Sequence, residues 1–283
     1  MSRIILMAES GSDVSPELAK EYDIEIVPMH VAFGGETRDD GSFPVTEMFD
    51  HYKKTHEPPR TSGCTPHDFE MAYAKVDEAC ADKQVLYLAY SAVTTCSMQS
   101  GVIARGDRED ITIMDTKNVS AGQAAVVLRV AKYLKAHPEA TMEELVAVAN
   151  EAIEKVKMGF VPGDLDYLRA GGRVSNAAYL GAKILNLHPL IEIIDGKLMS
   201  TKKYRGSMAR VIRQVLEEYP EANHFSKDEL YLIYGEGLDE KIKREAEETM
   251  RQKGYAQINW VRTGCVIAAH SGPGAFGVVG FAE

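Results

Sequence analysis

Short apolar runs alternate with helical periodicities through the first half of the chain. Ile4–Met7, Ile24–Pro28, Val85–Ala89 and Ile111–Asp115 are brief, apolar and bounded by turn-forming residues. That is the pattern of strands buried on both faces. Between them the spacing predicts helices. Ser120-Ala121-Gly122-Gln123 reads as a capping box opening a helix through about Leu134, and Thr141-Met142-Glu143-Glu144 as another. The second helix gathers Leu145, Val148, Ala149, Ala152, Ile153 and Val156 on one face. This alternation predicts an α/β fold whose N-terminal part is a mostly parallel sheet with flanking helices.

The pattern changes after about residue 158. Ser175 is placed to cap a helix running to about Leu187, stopped before Pro189. Leu190–Ile194, Asp195-Gly196 and Lys197–Met199 read as a hairpin with a tight turn. A helix from about Ser207 to Tyr219, a strand at Leu230–Tyr234 and a helix over Asp239–Lys253 follow. The tail from Ile258 to Phe281 reads as two strands joined at a glycine-rich turn. Hairpins mixed with helices predict an α+β second domain with a mixed sheet. The expected division is 1–158 and 159–283, with no linker between the two parts and no internal repeat.

Composition narrows the class. The 283 residues are 45% hydrophobic and 26% charged, as in an ordinary globular protein. The net charge of −10 argues against nucleic acid as the main partner. No apolar run approaches the roughly 20 residues that span a bilayer. Met1–Ala8 is apolar, but Glu9, Ser10 and Gly11 follow at once, so it reads as a first strand and not a signal peptide. The four cysteines are scattered, without Cys-x-x-Cys or zinc-ligand spacing, which predicts a reduced, cytoplasmic protein with no metal site.

Two segments carry candidate chemistry. Leu165 through Ser175 contains Gly171-Gly172-Arg173, where a glycine pair lets backbone approach closely and an arginine offers a cationic fork to an oxyanion. His270-Ser271-Gly272-Pro273-Gly274-Ala275 sets an imidazole and a hydroxyl beside a rigid turn. Gly272, Gly274 and Gly277 formally match the dinucleotide fingerprint, but Pro273 interrupts it and too little chain follows for a helix and an acidic residue. The preferred reading is a strand-connecting turn whose backbone N–H groups face an anion together with His270.

Two hydroxyl-rich segments, Arg60–Pro66 and Tyr90–Ser97, contribute Thr61, Ser62, Thr94 and Thr95. With Ser10 after the first strand and Ser120 after the strand ending at Asp115, they predict a hydroxyl-lined crevice at the C-terminal ends of the parallel strands. Taken singly, each of the two hydroxyl-rich segments reads better as a helix cap. Arg205 ends the basic run Lys202-Lys203-Tyr204-Arg205. Walker A, His-Glu-x-x-His and Gly-x-Ser-x-Gly sequences are absent. The residues alone leave open a hydrolase or phosphotransferase in which His270 acts with Ser271 or Asp115, and a regulatory protein with an empty crevice.

The same segments resemble the DegV family, the bacterial fatty-acid-binding (FakB-type) proteins, nearly from end to end. Ala8–Asp13 is similar to the family's Thr-Asp-Ser-x-x-Asp start, and Thr61-Ser62 to its Thr-Ser loop. Asp115–Ser120 and Leu185–Pro189 resemble further family segments. Leu165–Ser175 resembles its Leu-x-x-Leu-x-x-Gly-Gly-Arg-Ile signature and His270–Ala275 its His-x-Gly-Pro-Gly ending. The resemblance implies a DegV-like architecture. It implies one long-chain fatty acid with a buried tail, no other cofactor, and a carboxylate presented to a separate fatty acid kinase that makes the acyl phosphate. This chain would then be a carrier and not itself the enzyme, with transient membrane contact for lipid exchange.

Carried over by resemblance, Thr61, Thr95 and His270 hold the head group, and Arg173 and Arg205 serve kinase docking or phosphoryl transfer. Ser10, Ser62, Thr94, Ser120, Ser271 and Gly272 complete the expected ligand-binding set. The family's Ser-Gly-Thr-Tyr-Gln-Ser stands here as Thr95-Cys96-Ser97-Met98-Gln99-Ser100, and a one-residue slip puts Thr94 in the serine's role. Glu9 and His188 replace a family Asp and Lys.

Overall fold

The computed structural model describes residues 4–79, 82–172 and 187–283. Its first sheet is built on β1 (Ile4–Glu9), every residue of which is buried. Ile4, Leu6 and Ala8 enter one core and Ile5 and Met7 the other, as strand alternation requires. β2 (Ile24–Val27) and β6 (Gln84–Ala89) flank β1, and β7 (Ile111–Asp115) follows, in the order β2-β1-β6-β7 with all pairs parallel. The C-terminal ends of β1, β6 and β7 therefore open along one edge.

The second sheet is mixed and six-stranded. β8 (Val156–Val161), β9 (Leu187–Ile194), β10 (Lys197–Arg205), β11 (Phe225–Tyr234), β12 (Gln257–Arg262) and β13 (Phe276–Ala282) lie in the order β10-β9-β8-β13-β11-β12. Only β11 and β12 pair in parallel. The protein is thus a mixed α/β fold with an N-terminal parallel sheet and a C-terminal mixed sheet.

α5 (Ser120–Ala136) lies between the two sheets and is buried almost all round. On one side are Leu6, Leu86 and Leu88, on the other Met158, Tyr231, Ile233 and Val279. Apolar residues on opposite faces are what such a central layer demands, and Arg129, Lys132 and Lys135 keep the remaining side polar. α6 (Met142–Lys155) packs beside it, opened by the expected Thr141–Glu144 capping box and burying Leu145, Ala149 and Ala152. α3 (Pro66–Ala79) covers the other face of the first sheet. The outer face of the second sheet is covered by α8 (Met208–Ala222) and α9 (Glu240–Gln252).

Several sequence expectations need correction. Ser120 caps nothing: Val119 is the N-cap, without a side-chain cap bond, and the Ser120 hydroxyl donates to Asp13 instead. The tail is not two strands. Cys265–Ser271 forms a helix, α10, between β12 and β13, and its apolar residues fill the core beside β1. A short apolar run does not distinguish strand from helix by periodicity, and burial against the N-terminal layer decided it. Leu187 is the first residue of β9, and the helix expected from Ser175 to about that point otherwise lies outside the described residues. The expected hairpin is present and longer, with Asp195 and Gly196 both left-handed (φ 49° and 78°) in its turn. A small antiparallel sheet, β4 (Glu36–Asp39), β3 (His30–Phe33) and β5 (Arg60–Ser62), was not foreseen. Among the described residues, no helix is long and apolar enough to cross a membrane.

Candidate functional site

α10 is the scaffold of the site. Its N-terminal backbone donors are held by two carboxylates from the distant N-terminal part. Gly264 N–H donates to Asp13 Oδ1 (2.7 Å), and Cys265 N–H to Asp40 Oδ1 (2.8 Å). These bonds satisfy groups that a helix start leaves unpaired. Burial pushes the carboxyls of Asp13 and Asp40 above the usual aspartate range. The C-terminal tail is thereby clamped onto the end of the parallel sheet.

At the far end of α10 stands His270. Its Nε2 lies 2.8 Å from Thr61 Oγ1 on β5, which pairs with Val31 of β3. The other side of the ring is bounded by Gly171, at the end of α7 (Leu165–Ala170). A Cβ built on Gly171 would fall 2.1 Å from His270 Nδ1. The first glycine of the pair thus gives the imidazole its room, a close approach only a residue without a side chain allows. Gly172, the second, takes φ 70°, and a Cβ there meets no atom of the described residues within 4 Å.

Thr95 approaches Thr61 from the loop after β6. Its Oγ1 is 3.1 Å from Ser97 Oγ, and Ser97 Oγ accepts from Cys64 N–H. A Cβ on Gly63 would meet Thr95 Oγ1 at 2.3 Å, so that hydroxyl lies directly against the Thr61–Ser62–Gly63 backbone. Thr94 instead donates to the Ser91 carbonyl (2.9 Å).

Behind these groups is a cavity of about 310 Å³, within the size range of small-molecule sites. Met158, Phe160, Leu198, Ile233 and Phe276 of the second sheet, with Met29 from the connection between β2 and β3, give it an apolar wall. Thr61, Thr94, Thr95 and His270 are half-buried, Ser62 and Cys96 are exposed, and Ser120, Thr263 and Ser271 are buried. The wall thus runs from an open polar mouth to a closed interior.

A family model described as "Uncharacterised protein, DegV family" matches residues 3–283. The chain belongs to the DegV family. A DegV domain-containing protein of Caldanaerobacter subterraneus subsp. tengcongensis is 29% identical over 283 residues, 98% of each chain. A DegV lipid binding protein from Thermotoga maritima is 25% identical with a TM-score of 0.84, over 100% of this chain and 99% of that one. A second Thermotoga maritima protein, described as revealing fatty acid binding function, is 25% identical with a TM-score of 0.81, over 99% and 100%. The fold is shared by the Streptococcus pneumoniae fatty acid kinase B3 protein loaded with linoleic acid, at 18% identity and TM-score 0.84 over the full length of both.

Of the residues singled out in this DegV chain, Thr61, Ser62, Thr94, Thr95, Ser120, His270 and Ser271 meet at this cavity. Ser10 does not line it: its hydroxyl accepts from Met29 N–H (3.0 Å). Gly272 lies off the cavity as well, with a φ of 69°, and a Cβ built on it would crowd Asp164 and Tyr167. The N–H groups of Gly272 and Gly274 donate to the carbonyls of Ala268 and Glu236, so the expected anion-facing turn is corrected. Arg205 is exposed at the end of β10, and Arg173 lies outside the described residues. Asp115 is off the lining and accepts from Lys117 N–H (2.8 Å), which removes it as an orienting carboxylate for His270.

Sequence reasoning passed over Tyr90 and Thr263, both on the cavity wall. Tyr90 N–H is held by Glu9, whose buried carboxylate also accepts from Tyr87 and from Gln123 (2.8 Å). Burial raises the Glu9 pKa. The Glu9 departure from the family pattern therefore sits in a buried network that ties β1, β6 and α5 together beneath the site. Thr263 had a readable signal. With Val266, Ile267, His270 and Ser271 it follows helical spacing, which an assignment of this segment to a strand conceals.

Proposed function

We propose that this DegV protein binds one long-chain fatty acid and presents its carboxylate to a separate kinase for conversion to an acyl phosphate. The observation that carries the reading is the Thr61–His270 pair, half-buried at the polar end of an apolar cavity. A carboxylate there would receive hydrogen bonds from His270, Thr61 and Thr95. The tail would lie on Met158, Phe160, Ile233 and Phe276. Thr95 suits the head-group role better than Thr94, because its hydroxyl lies against the Thr61–Gly63 backbone while that of Thr94 donates to its own loop.

Magnitudes assign the two ends different tasks. A charge-assisted hydrogen bond contributes about 1.5–3 kcal/mol. Each buried methylene contributes about 0.8 kcal/mol, so ten give roughly 8 kcal/mol. The tail dominates affinity, and the polar end fixes orientation. The partly open mouth supports presentation: an enclosed carboxylate would be out of reach of a second protein. β10 fits the same arrangement, since it supplies Leu198 to the wall and carries Arg205 at an exposed end. The descriptions of the two Thermotoga maritima relatives, and of the Streptococcus pneumoniae protein as part of a fatty acid kinase, point the same way.

Native mass spectrometry of purified protein tests the binding, with a co-purified fatty acid as the expected result. Lipid-free protein that takes up none at saturating supply overturns it. Presentation is tested by acyl-phosphate formation with ATP and a fatty acid kinase, where Arg205→Ala is expected to spare lipid binding and slow transfer.

A further inference from the structure

The cavity has a second polar station that a plain hydrocarbon tail leaves unanswered. Thr263 and Ser271 are each 3% exposed. Both line the cavity, and the hydroxyl oxygens of both are buried with no hydrogen-bond partner in the protein. Ser271 adjoins His270 and belongs to the head-group end. Thr263 is elsewhere. It precedes Gly264, the N-cap of α10, whereas His270 is in the last turn. Seven residues at helical rise separate the two by roughly 10 Å along the wall.

The spacing gives α10 and its approach a single face toward the cavity. Thr263, Val266, Ile267, His270 and Ser271 all line it. The face is polar at both ends and apolar in the middle. The half-buried end is the Thr61–His270 mouth, and Thr263 is at the buried end. Ser120, the other hydroxyl near that inner end, donates to Asp13, which accepts from Gly264 N–H. Thr263 therefore faces the interior beside a satisfied network without being part of it.

An alkyl chain drawn over Thr263 strips the hydroxyl of water and gives nothing in return, which is unfavourable. A chain with an oxygen at that depth removes the cost, because a threonine hydroxyl can donate to a carbonyl or hydroxyl oxygen and accept from a hydroxyl. We infer that the cavity selects fatty acids oxygenated at mid-chain, hydroxy or oxo acids, with Thr263 as the selecting residue. The inference rests on the fatty-acid reading above and adds the substrate class.

The test compares dissociation constants for stearic acid and a series of monohydroxystearic acids with the hydroxyl moved along the chain. The expected result is a preference for one mid-chain isomer over stearic acid of about fivefold or more, the size of one net hydrogen bond. Thr263→Val keeps the shape and removes the hydroxyl. It is expected to bind stearic acid more tightly and the favoured isomer more weakly, while Thr263→Ser retains the preference and guards against a folding artefact. Equal affinity across the series, or a preference that Thr263→Val leaves intact, overturns the inference and leaves fatty-acid binding standing. Failure of every acid to bind overturns both.

Discussion

Replacing Gly171 by alanine isolates the role of the imidazole without touching it. Gly171 has helical backbone angles (φ −75°, ψ 0°), so alanine meets no backbone strain there. All the conflict is with the His270 ring, 2.1 Å from the new Cβ at Nδ1 and 2.6 Å at Cε1. Ordinary contact begins near 3.4 Å, so the ring must retreat by about 1.3 Å at Nδ1. A displacement of that size disrupts the 2.8 Å bond to Thr61 and the alignment of the ring with a carboxylate. The loss of one charge-assisted hydrogen bond, about 1.5–3 kcal/mol, corresponds to a Kd raised roughly tenfold to hundredfold. Crowding lowers stability by about 1–3 kcal/mol.

Displacement of a fluorescent fatty acid measures the affinity, and a fatty acid methyl ester provides the control. Wild type should prefer the acid to its ester, and Gly171→Ala should lose that preference, since the tail contacts are unchanged. Gly172→Asn serves beside it: φ there is 70°, which asparagine tolerates, and among the described residues an added Cβ meets no atom within 4 Å. A folded Gly171→Ala protein that still discriminates acid from ester would refute the assignment of His270 to the head group. An equal loss in Gly172→Asn would do the same.

Thr61→Val should weaken fatty-acid binding by about fivefold to tenfold, the worth of one hydroxyl contact, with little change in thermal stability; isothermal titration calorimetry reads it. Asp13 titrates above the usual aspartate range in the folded protein because it is buried. The folded state therefore binds more protons than the unfolded one between the ordinary aspartate value and the raised one, and this group's contribution to stability falls as pH rises through that window. Asp13→Asn should flatten that part of the curve, seen as a smaller difference in Tm between mildly acidic and neutral buffers than in wild type. Gly196→Ala places a Cβ at φ 78° and 2.6 Å from Ser91 Oγ, which donates to the Gly196 carbonyl. It should cost about 1–2 kcal/mol or more, with faster amide exchange in β9 and β10.

The parallel sheet was legible because strands buried on both faces read as unbroken apolar runs, and α6 because Thr141 and Glu144 close their capping box. The hairpin was legible from Asp195-Gly196 alone. What escaped was decided by distant contacts. Ser120 stands three residues before Gln123 as a cap should, yet Asp13, far off in sequence, takes its hydroxyl. Cys265–Ala269 looks like a strand until Asp13 and Asp40 hold its first amides as a helix. For the site, the residue types marked Thr61, Thr95 and His270, but their meeting depends on β5 pairing with β3, a three-residue strand too short to show a period. The helical spacing of Thr263 with His270 was legible, but its unpaired hydroxyl was not, because that is a property of surroundings and not of sequence.

The partners Thr61 and His270 are 209 positions apart, one on β5 and the other on α10. A site assembled from segments so far apart reports on tertiary assembly: the pair cannot meet until α10 is docked on Asp13 and Asp40, so loss of that docking dismantles the site while every residue that lines it is unchanged.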